Sequence, residues 1–353
     1  MKQRLPHPLT EARRHSGLAA IGLCFLDELE IICANLRMTQ VAEWAAQFER
    51  DGFLALPKFF STGEIDHAVA ATERVKRERP SDIVVDDLAT GERTFLATAS
   101  DREHGKFKFN DLYLTVEEVR GLALAPRLSQ LLALLLHGER PVLCFSLNFV
   151  QGSGQPIHID SLYMTPKTQA HLVATWIALE DVHPDAGPLV YYPGSHKIPL
   201  YTFADGTHHA RQEEMDQWTA YIMGEMERRG IKRQTFLAGK GDLFIWQSDL
   251  VHGGSAMADT NRTRRSLVCH YFTESDCVRD NTLRLEELNG GLWINRFSQG
   301  VHIAPERFGP DRPFPEELYL RRYADVREAV ARGRIPSGFY HYQHHGFAEK
   351  RPL

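Results

Sequence analysis

Cysteine is scarce in this chain of 353 residues, and its distribution argues against a disulfide-stapled scaffold. The five cysteines, at positions 24, 33, 144, 269 and 277, form no Cys-x-x-Cys pair and leave one thiol over. Disulfide frameworks in secreted domains use even sets of cysteines, so this pattern favours a reducing compartment. We therefore predict a cytoplasmic protein.

An excess of positive charge and a long apolar run are also missing. The formal net charge is −5, so the chain lacks the excess of basic residues that is typical of nucleic-acid-binding proteins. The apolar run from Gly17 to Leu26 is too short to span a bilayer, and Asp27 and Glu28 follow it without a small-residue cleavage pattern. We expect no membrane span and no export signal, and interpret residues 1–37 as a poorly defined N-terminal extension.

The chain does contain a set of residues suited to ferrous iron. In the segment His158-Ile159-Asp160 an imidazole and a carboxylate stand two positions apart, and His252 follows far downstream. Alternate side chains of an extended strand point to the same face, so one metal ion can contact both His158 and Asp160 while Ile159 points away. Two histidines and one carboxylate form the facial set that holds iron(II) and leaves positions open for a co-substrate and dioxygen.

Short β-prone runs separated by Gly, Pro and Asp turn signals surround these residues. Such a pattern is typical of an antiparallel two-sheet jelly roll, and it does not fit an alternating parallel α/β fold. We therefore predict an all-β core with helices, in which a double-stranded β-helix barrel of the cupin type is buttressed by helices. The runs are Leu172 to Leu179, Leu189 to Tyr192, Gln234 to Leu237, Asp242 to Trp246 and Arg265 to Phe272.

Five motifs in a fixed order resemble the phytanoyl-CoA dioxygenase family of iron(II)/2-oxoglutarate oxygenases. The resemblance covers roughly residues 40 to 275. It is specific because all five motifs follow the order in which the family has them. The motifs are the QPIHID segment from Gln155 to Asp160, WIALED from Trp176 to Asp181, GPL from Gly187 with PGSHK from Pro193 to Lys197, GKGD from Gly239 to Asp242, and LVHGG from Leu250 to Gly254.

The resemblance implies roles for single residues. His158, Asp160 and His252 correspond to the iron ligands, and Arg264 corresponds to the arginine that binds the distal carboxylate of 2-oxoglutarate. A guanidinium group suits that task because its forked donors bind a carboxylate in a bidentate manner. Gln155 is expected to contact the same co-substrate.

Three further points follow from the resemblance. Arg264 lies one residue farther from the distal histidine than is common in the family, and Arg262 and Arg265 are its neighbours, so the choice of arginine stays open. Asn148, on the strand that leads into the first motif, is a weaker candidate for the cofactor pocket. Trp176, on the opposite strand, is another.

The organisation of the chain favours one catalytic domain with appendages. We predict a jelly-roll oxygenase domain over residues 38–300, with a helical insertion near 211–229, and a small C-terminal helical appendage over 313–353. Ser61 and Thr115 each begin a Ser/Thr-x-x-Glu capping box, which predicts a helix after each of them.

The chemistry that these expectations imply is oxidative. With iron(II), 2-oxoglutarate and dioxygen, such an enzyme hydroxylates an unactivated C–H bond of a small organic substrate and releases succinate and carbon dioxide. The substrate class stays open between lipid-, amino-acid- and saccharide-derived molecules, and the oligomeric state is not predicted. The alternatives are a zinc-dependent hydrolase with the same three ligands, a non-catalytic jelly-roll binding protein and a scaffold that has lost its activity.

Overall fold

The computed structural model describes residues 40–88, 90–99, 106–278, 283–310 and 312–353. The described residues between Phe48 and Leu353 form one compact unit. The extension predicted for residues 1–37 lies outside the described residues. No helix among the described residues is long and apolar enough to cross a membrane.

Thirteen strands and a set of helices make up the described chain. The strands are β1 (Phe53–Leu56), β2 (Val84–Asp87), β3 (Arg93–Phe95), β4 (Phe107–Asn110), β5 (Pro141–Phe149), β6 (Leu172–Ala178), β7 (Leu189–Tyr191), β8 (Gln234–Phe236), β9 (Leu243–Gln247), β10 (His252–Gly254), β11 (Ser266–Thr273), β12 (Leu285–Leu288) and β13 (Gly291–Ile294). The helices are α1 (40–51), α2 (Thr62–Glu78), α3 (Glu117–Ala123), α4 (Pro126–Leu135), α5 (Met215–Arg228), α6 (Glu274–Val278), α7 (Glu316–Arg322), α8 (Ala324–Ala331) and α9 (Gly338–His341).

The strands form two sheets that pack around one apolar core. The larger sheet has ten strands in the order β1-β9-β6-β11-β5-β4-β2-β3, with β13 on β5 and β12 on β13, and the smaller has the order β10-β7-β8. Strand pairing is antiparallel except between β13 and β5. Side chains from both sheets, including Trp176 and Tyr191, share the core between them. The predicted all-β, cupin-like core with helices is confirmed, although the two sheets do not close into one barrel among the described residues.

The five predicted strands are confirmed, with end positions that differ by no more than one residue, as β6, β7, β8, β9 and β11. Strand β6 is buried along its whole length. Its front face lines the core between the sheets, with Ala174, Trp176 and Ala178 in one row. Such continuous burial explains why its sequence reads as one apolar run, since a strand covered on both faces has no polar side.

The first of the two predicted capping boxes is confirmed and the second is wrong. The hydroxyl of Ser61 accepts a hydrogen bond from the Glu64 N–H, and the Glu64 carboxylate accepts one from the Ser61 N–H. Thr115 instead ends the 3₁₀ turn Leu112–Leu114, donating its own N–H to the Leu112 carbonyl. Helix α3 therefore begins after Val116, which has no side-chain cap.

Replacing Ser61 by alanine is expected to lower the free energy of unfolding by about 1 kcal/mol, because the Glu64 N–H at the start of α2 loses the hydroxyl that accepts its hydrogen bond. Thr115→Ala is the matched control, and its effect should stay within about 0.5 kcal/mol because Thr115 does not cap a helix. Urea denaturation of the three proteins measures both values. Equal losses in the two variants would contradict the assignment of the caps.

The predicted insertion and the C-terminal segment each contain helices. Helix α5 lies within the insertion, and its Trp218 packs with Ile159 and Leu162 in a separate apolar cluster. Behind the segment that carries Asp160, this cluster supports the first metal-binding motif. In the C-terminal segment, Leu318 of α7 shares a core with Val84 and Phe95 of the larger sheet.

Candidate metal centre

His158 and His252 come together through one isolated β-bridge. The N–H of each residue donates to the carbonyl of the other, at 2.9 and 3.0 Å, so the two backbones run side by side. Ile159 continues the extended backbone, and its side chain enters the cluster around Trp218. Asp160 then begins the 3₁₀ turn Asp160–Leu162, with its N–H bonded to the Ser248 carbonyl. The predicted alternation is present, although it comes from a bridge and a turn instead of a continuous strand.

The side chains of His158, Asp160 and His252 offer ligand atoms that all lie within 4.8 Å of one another, and all three residues are buried. The Nε2 atom of each histidine lies 3.6 Å from Asp160 Oδ1. The Nδ1 atoms face backbone carbonyls, that of Pro156 at 2.9 Å for His158 and that of Leu250 at 3.0 Å for His252. A carbonyl oxygen can accept a hydrogen bond but cannot donate one, so each Nδ1 carries the hydrogen and each Nε2 presents a lone pair that a metal can take.

The second oxygen of Asp160 is held by two residues that the sequence interpretation missed. The Nε1–H of Trp246 donates to Asp160 Oδ2 at 2.8 Å, and Nε2 of His270 lies 3.4 Å from the same oxygen. Both residues are buried. With Oδ2 committed in this way, Oδ1 is the oxygen that faces the two histidines. Metal ligands commonly have such outer partners, which fix their orientation.

Burial and charge set the protonation of this cluster. Burial alone would raise the pKa of Asp160, but the neighbouring imidazoles of His252, His270 and His158 outweigh burial and hold it well below its usual range. Burial lowers the pKa of His252 to about 4. At neutral pH the cluster therefore contains an ionised carboxylate and a neutral His252 ring, which are the forms that bind a metal cation.

Replacing Trp246 by phenylalanine is expected to weaken the binding of iron(II) by about 10- to 100-fold, the usual effect of losing an outer partner of a metal ligand. The substitution keeps an aromatic ring but removes the N–H that holds Asp160 Oδ2. Trp176→Phe is the matched control, because the Trp176 N–H has no hydrogen-bond partner in the described part of the chain. Anaerobic titration with iron(II) in the absence of a keto-acid measures both affinities, and equal values for the two variants would contradict the role of Trp246.

A cavity of about 170 Å³ that opens to solvent contains the cluster. Most of its wall is apolar, as is usual for small-molecule sites. The lining residues outside the metal cluster are Phe145, Leu147, Phe149, Ser153, Gln155, Tyr163, Met164, Trp176, Leu189, Trp246, Gly253, Gly254, Arg264, Val268 and His270.

Arg264 is the one lysine or arginine among the described residues that line this cavity, and it is only 3% exposed. One Nη1–H donates to the Gly187 carbonyl, and the guanidinium carbon lies 5.8 Å from the centre of the Phe149 ring. Its Nε makes no hydrogen bond, and within the described chain no carboxylate forms an ion pair with it. Burial lowers the pKa of Arg264 to about 10, which still leaves it charged at neutral pH.

The two neighbouring arginines are placed differently. Arg262 is exposed and pairs with Asp259 at 3.2 Å. Arg265 points to the other face of the sheet, where it pairs with Glu73 at 2.7 Å. Among the three arginines, only Arg264 therefore presents its guanidinium to the cavity without an acidic partner.

The remaining predicted site residues divide between the cavity and the far side of the sheet. Gln155 and Trp176 line the cavity, and Gln155 Nε2 lies 3.3 Å from His158 Nε2. Asn148 does not line it, because Leu147 and Phe149 occupy the cavity face of β5 and Asn148 alternates to the opposite face. There it borders a separate small pocket beside Arg265.

Alternation along β11 could have revealed His270 before the structure did. Counting in twos from Arg264 along the predicted strand reaches Ser266, Val268 and His270, and both Val268 and His270 line the cavity. Trp246 offered a weaker signal, since its contact with Asp160 depends on the bend of the chain after the metal-binding motif.

Comparison with known proteins agrees with this geometry. The family description "Phytanoyl-CoA dioxygenase (PhyH)" matches residues 48–266. The chain is 24% identical to the peroxisomal phytanoyl-CoA dioxygenase of Mus musculus over 324 residues, which is 86% of each protein, and 24% identical to that of Rattus norvegicus over 277 residues, 74% of this chain and 75% of the relative.

A solved structure shares the fold. It is the non-heme alpha ketoglutarate dependent carbocyclase SnoK from nogalamycin biosynthesis, with a TM-score of 0.52 and 19% identity over 71% of this chain and 95% of that chain. The family match and the buried His158, Asp160 and His252 cluster confirm the expected class, a non-haem iron(II)/2-oxoglutarate-dependent dioxygenase. The chain belongs to the phytanoyl-CoA dioxygenase family.

Proposed function

We propose that this dioxygenase hydroxylates an unactivated C–H bond of a small organic substrate. In the balanced reaction, the substrate, 2-oxoglutarate and dioxygen give the hydroxylated product, succinate and carbon dioxide, with one oxygen atom in the new hydroxyl group and the other in succinate. One observation carries the proposal: a His/Asp/His donor set lines the same cavity as a buried arginine that has no acidic partner among the described residues.

The three clustered side chains fit an iron(II) ion. His158 and His252 would each contribute Nε2, and Asp160 would contribute Oδ1. Bound iron(II) supplies the oxidising chemistry with dioxygen and 2-oxoglutarate. The protein residues orient these partners and exclude water from the reacting atoms.

Arg264 is the proposed partner of the distal carboxylate of 2-oxoglutarate. A buried guanidinium without a counter-ion is costly, and a carboxylate ligand would remove that cost through charge-assisted hydrogen bonds. Gln155 is placed to orient the co-substrate, since its amide nitrogen lies 3.3 Å from His158 Nε2. Trp176 contributes a wall of the same cavity, whereas Asn148 could act only through the strand on which it lies.

A zinc hydrolase is the main alternative with the same ligands. Zinc accepts His and Asp donors and can activate water at neutral pH. That mechanism gives no function to Arg264, which is buried at the cavity wall with an unpaired Nε. The arginine therefore favours an enzyme that binds a dicarboxylate co-substrate.

Anaerobic addition of iron(II) and 2-oxoglutarate to the full chain tests the proposal. A weak visible charge-transfer band should appear only when both are present, and admission of oxygen should then produce succinate. The zinc-loaded protein is the control, and it should give neither signal. A chain that binds iron(II) but develops no band with 2-oxoglutarate would overturn the proposal in favour of a hydrolase or a binding protein.

The proposal also covers the domain boundaries of the chain and the cellular compartment of the protein. We assign catalysis to residues 38–300, including the insertion near 211–229, and interpret residues 313–353 as an appendage that packs on β2 and β3. The cysteine pattern supports a cytoplasmic setting.

A further inference from the structure

The register of the larger sheet divides the cavity wall into rows. Phe145 pairs with His270, His270 pairs with Ala174, and Ala174 pairs with Trp246, so these four residues form one row across four strands. Asp160 contacts both His270 and Trp246. This row, which we call the metal row, therefore lies beside the metal ligands.

Arg264 marks the opposite end of the same wall. Its N–H donates to the Val150 carbonyl, and its guanidinium lies against Phe149, which pairs with Ser266. Between this end and the metal row lies a middle row of Leu147, Val268 and Trp176. A co-substrate that reaches from the metal to Arg264 would cover the middle row and leave the metal-row end of the cavity for the substrate.

Three side chains line the cavity at this remaining end. Tyr163 and Met164 lie three and four residues after Asp160, and both donate their N–H to the Asp160 carbonyl at 2.9 Å, which brings them beside the metal ligands. The Tyr163 ring centre lies 6.0 Å from that of His158, and the residue is 53% exposed, so it stands at the mouth. Met164 and Phe145 belong to one apolar cluster. Phe145, Tyr163 and Met164 are named the apolar subsite.

The apolar subsite offers no partner for a charged group. Among the described residues that line the cavity, Arg264 is the only lysine or arginine and Asp160 the only carboxylate. The proposed function commits both of them, one to the co-substrate and the other to iron. An ammonium or carboxylate group buried here would lose its hydration without gaining an ion pair, which is strongly unfavourable.

We infer, on the basis of the proposed function, that the substrate presents an uncharged, apolar group to Phe145, Tyr163 and Met164. An apolar group gains free energy from leaving water in contact with these side chains. Of the substrate classes compatible with the sequence, a hydrocarbon-like lipid or ring system fits this end of the cavity, and the ionised head of an amino acid does not. Any charged part of the substrate remains outside the mouth.

Proton relaxation of small probes tests the inference without turnover. Toluene, benzylammonium and phenylacetate share a ring but differ in charge, and each is added to the full chain loaded with manganese(II) and saturating 2-oxoglutarate under anaerobic conditions. A probe in the apolar subsite lies near the paramagnetic ion, so its relaxation accelerates. We expect clear acceleration for toluene over the zinc-loaded control and none for the two charged probes.

Met164→Asp should reverse this preference. The new carboxylate should weaken toluene binding by at least about tenfold and admit benzylammonium, because it supplies the missing counter-charge. Met223→Asp is the matched control, since Met223 is an exposed methionine of α5 that does not line the cavity. If Met164→Asp does not fold, Met164→Thr should still weaken toluene binding through the loss of apolar contact.

The outcomes separate the inference from the proposed function. Acceleration of a charged probe equal to that of toluene, or unchanged preference in the folded Met164 variants, would overturn the apolar subsite. Manganese(II) binding is followed independently by the loss of the free-ion EPR signal. If the ion or 2-oxoglutarate fails to bind, the proposed function fails, and with it the basis of this inference.

Discussion

Replacing Asp160 by asparagine is expected to reduce the affinity for iron(II) by more than about 100-fold, because changes to outer partners alone cost 10- to 100-fold and Asp160 is itself a proposed ligand. The substitution keeps the size of the side chain but removes its charge and one of its two acceptor oxygens. The geometry around Asp160 explains why an amide cannot replace it.

Each carboxylate oxygen of Asp160 has its own task. Oδ1 faces the two histidine Nε2 atoms at 3.6 Å, and Oδ2 accepts the Trp246 N–H at 2.8 Å. An asparagine has one acceptor oxygen and one NH₂ group. If its oxygen faces the metal, the NH₂ group meets the Trp246 donor; if its oxygen accepts from Trp246, the NH₂ group faces the metal. Either orientation leaves one buried interaction repulsive.

Anaerobic calorimetric titration with iron(II) measures this effect. Asp216→Asn is the matched control, because Asp216 lies on the exposed side of α5 and does not line the cavity. Its affinity should equal that of the unmodified chain. Binding by Asp160→Asn within about threefold of the control, a difference of less than 1 kcal/mol, would show that the ion is held elsewhere.

The proximity of His158 and Asp160 could be predicted from the sequence because it depends on short-range geometry. An extended residue between His158 and Asp160 is enough to turn both side chains to one side, and the structure has that residue at Ile159. The strands could be predicted from the β-prone runs for the same reason, because a strand buried on one or both faces has a recognisable local pattern of apolar residues. His252 was predicted as the third member of the cluster from the order of the family motifs.

The contacts that depend on strand pairing could not be predicted in this way. Asn148 was a pocket candidate because of its place in the chain, but only the side chains of β5 that alternate with it reach the cavity. Trp246 and His270 meet Asp160 because three strands share a row, and a row requires the register between strands. Thr115 does not cap helix α3 because it ends the preceding 3₁₀ turn, Leu112–Leu114. The Thr-x-x-Glu pattern alone gives no information about that turn.

Replacing Arg264 by alanine should abolish measurable binding of 2-oxoglutarate while iron(II) binding stays nearly unchanged. Arg264 is 3% exposed and has no acidic partner within the described chain, so a ligand carboxylate would be its main counter-charge. Losing one partner of a buried ion pair costs about 3–5 kcal/mol, which corresponds to a loss of affinity of more than about 100-fold.

Arg264→Lys separates charge from shape. Lysine retains the positive charge but has neither the planar fork nor the reach to donate to the Gly187 carbonyl and a carboxylate together. We expect an intermediate affinity, about tenfold or more below that of the unmodified chain, since a bidentate pair is replaced by a single point charge.

The neighbouring arginines decide whether the assignment is specific. Arg262→Ala removes an exposed pair with Asp259, an interaction worth about 0–1 kcal/mol, and should change 2-oxoglutarate binding less than about fivefold.

Anaerobic titrations that follow the visible band measure the affinity for 2-oxoglutarate, and separate iron(II) titrations measure the affinity for the metal. If Arg262→Ala weakens the band as much as Arg264→Ala, the carboxylate is bound at the surface loop and the buried guanidinium has another ligand. If Arg264→Ala weakens both titrations equally, Arg264 supports the metal cluster itself, because a group that touches only the co-substrate leaves the binding of iron(II) alone unaffected.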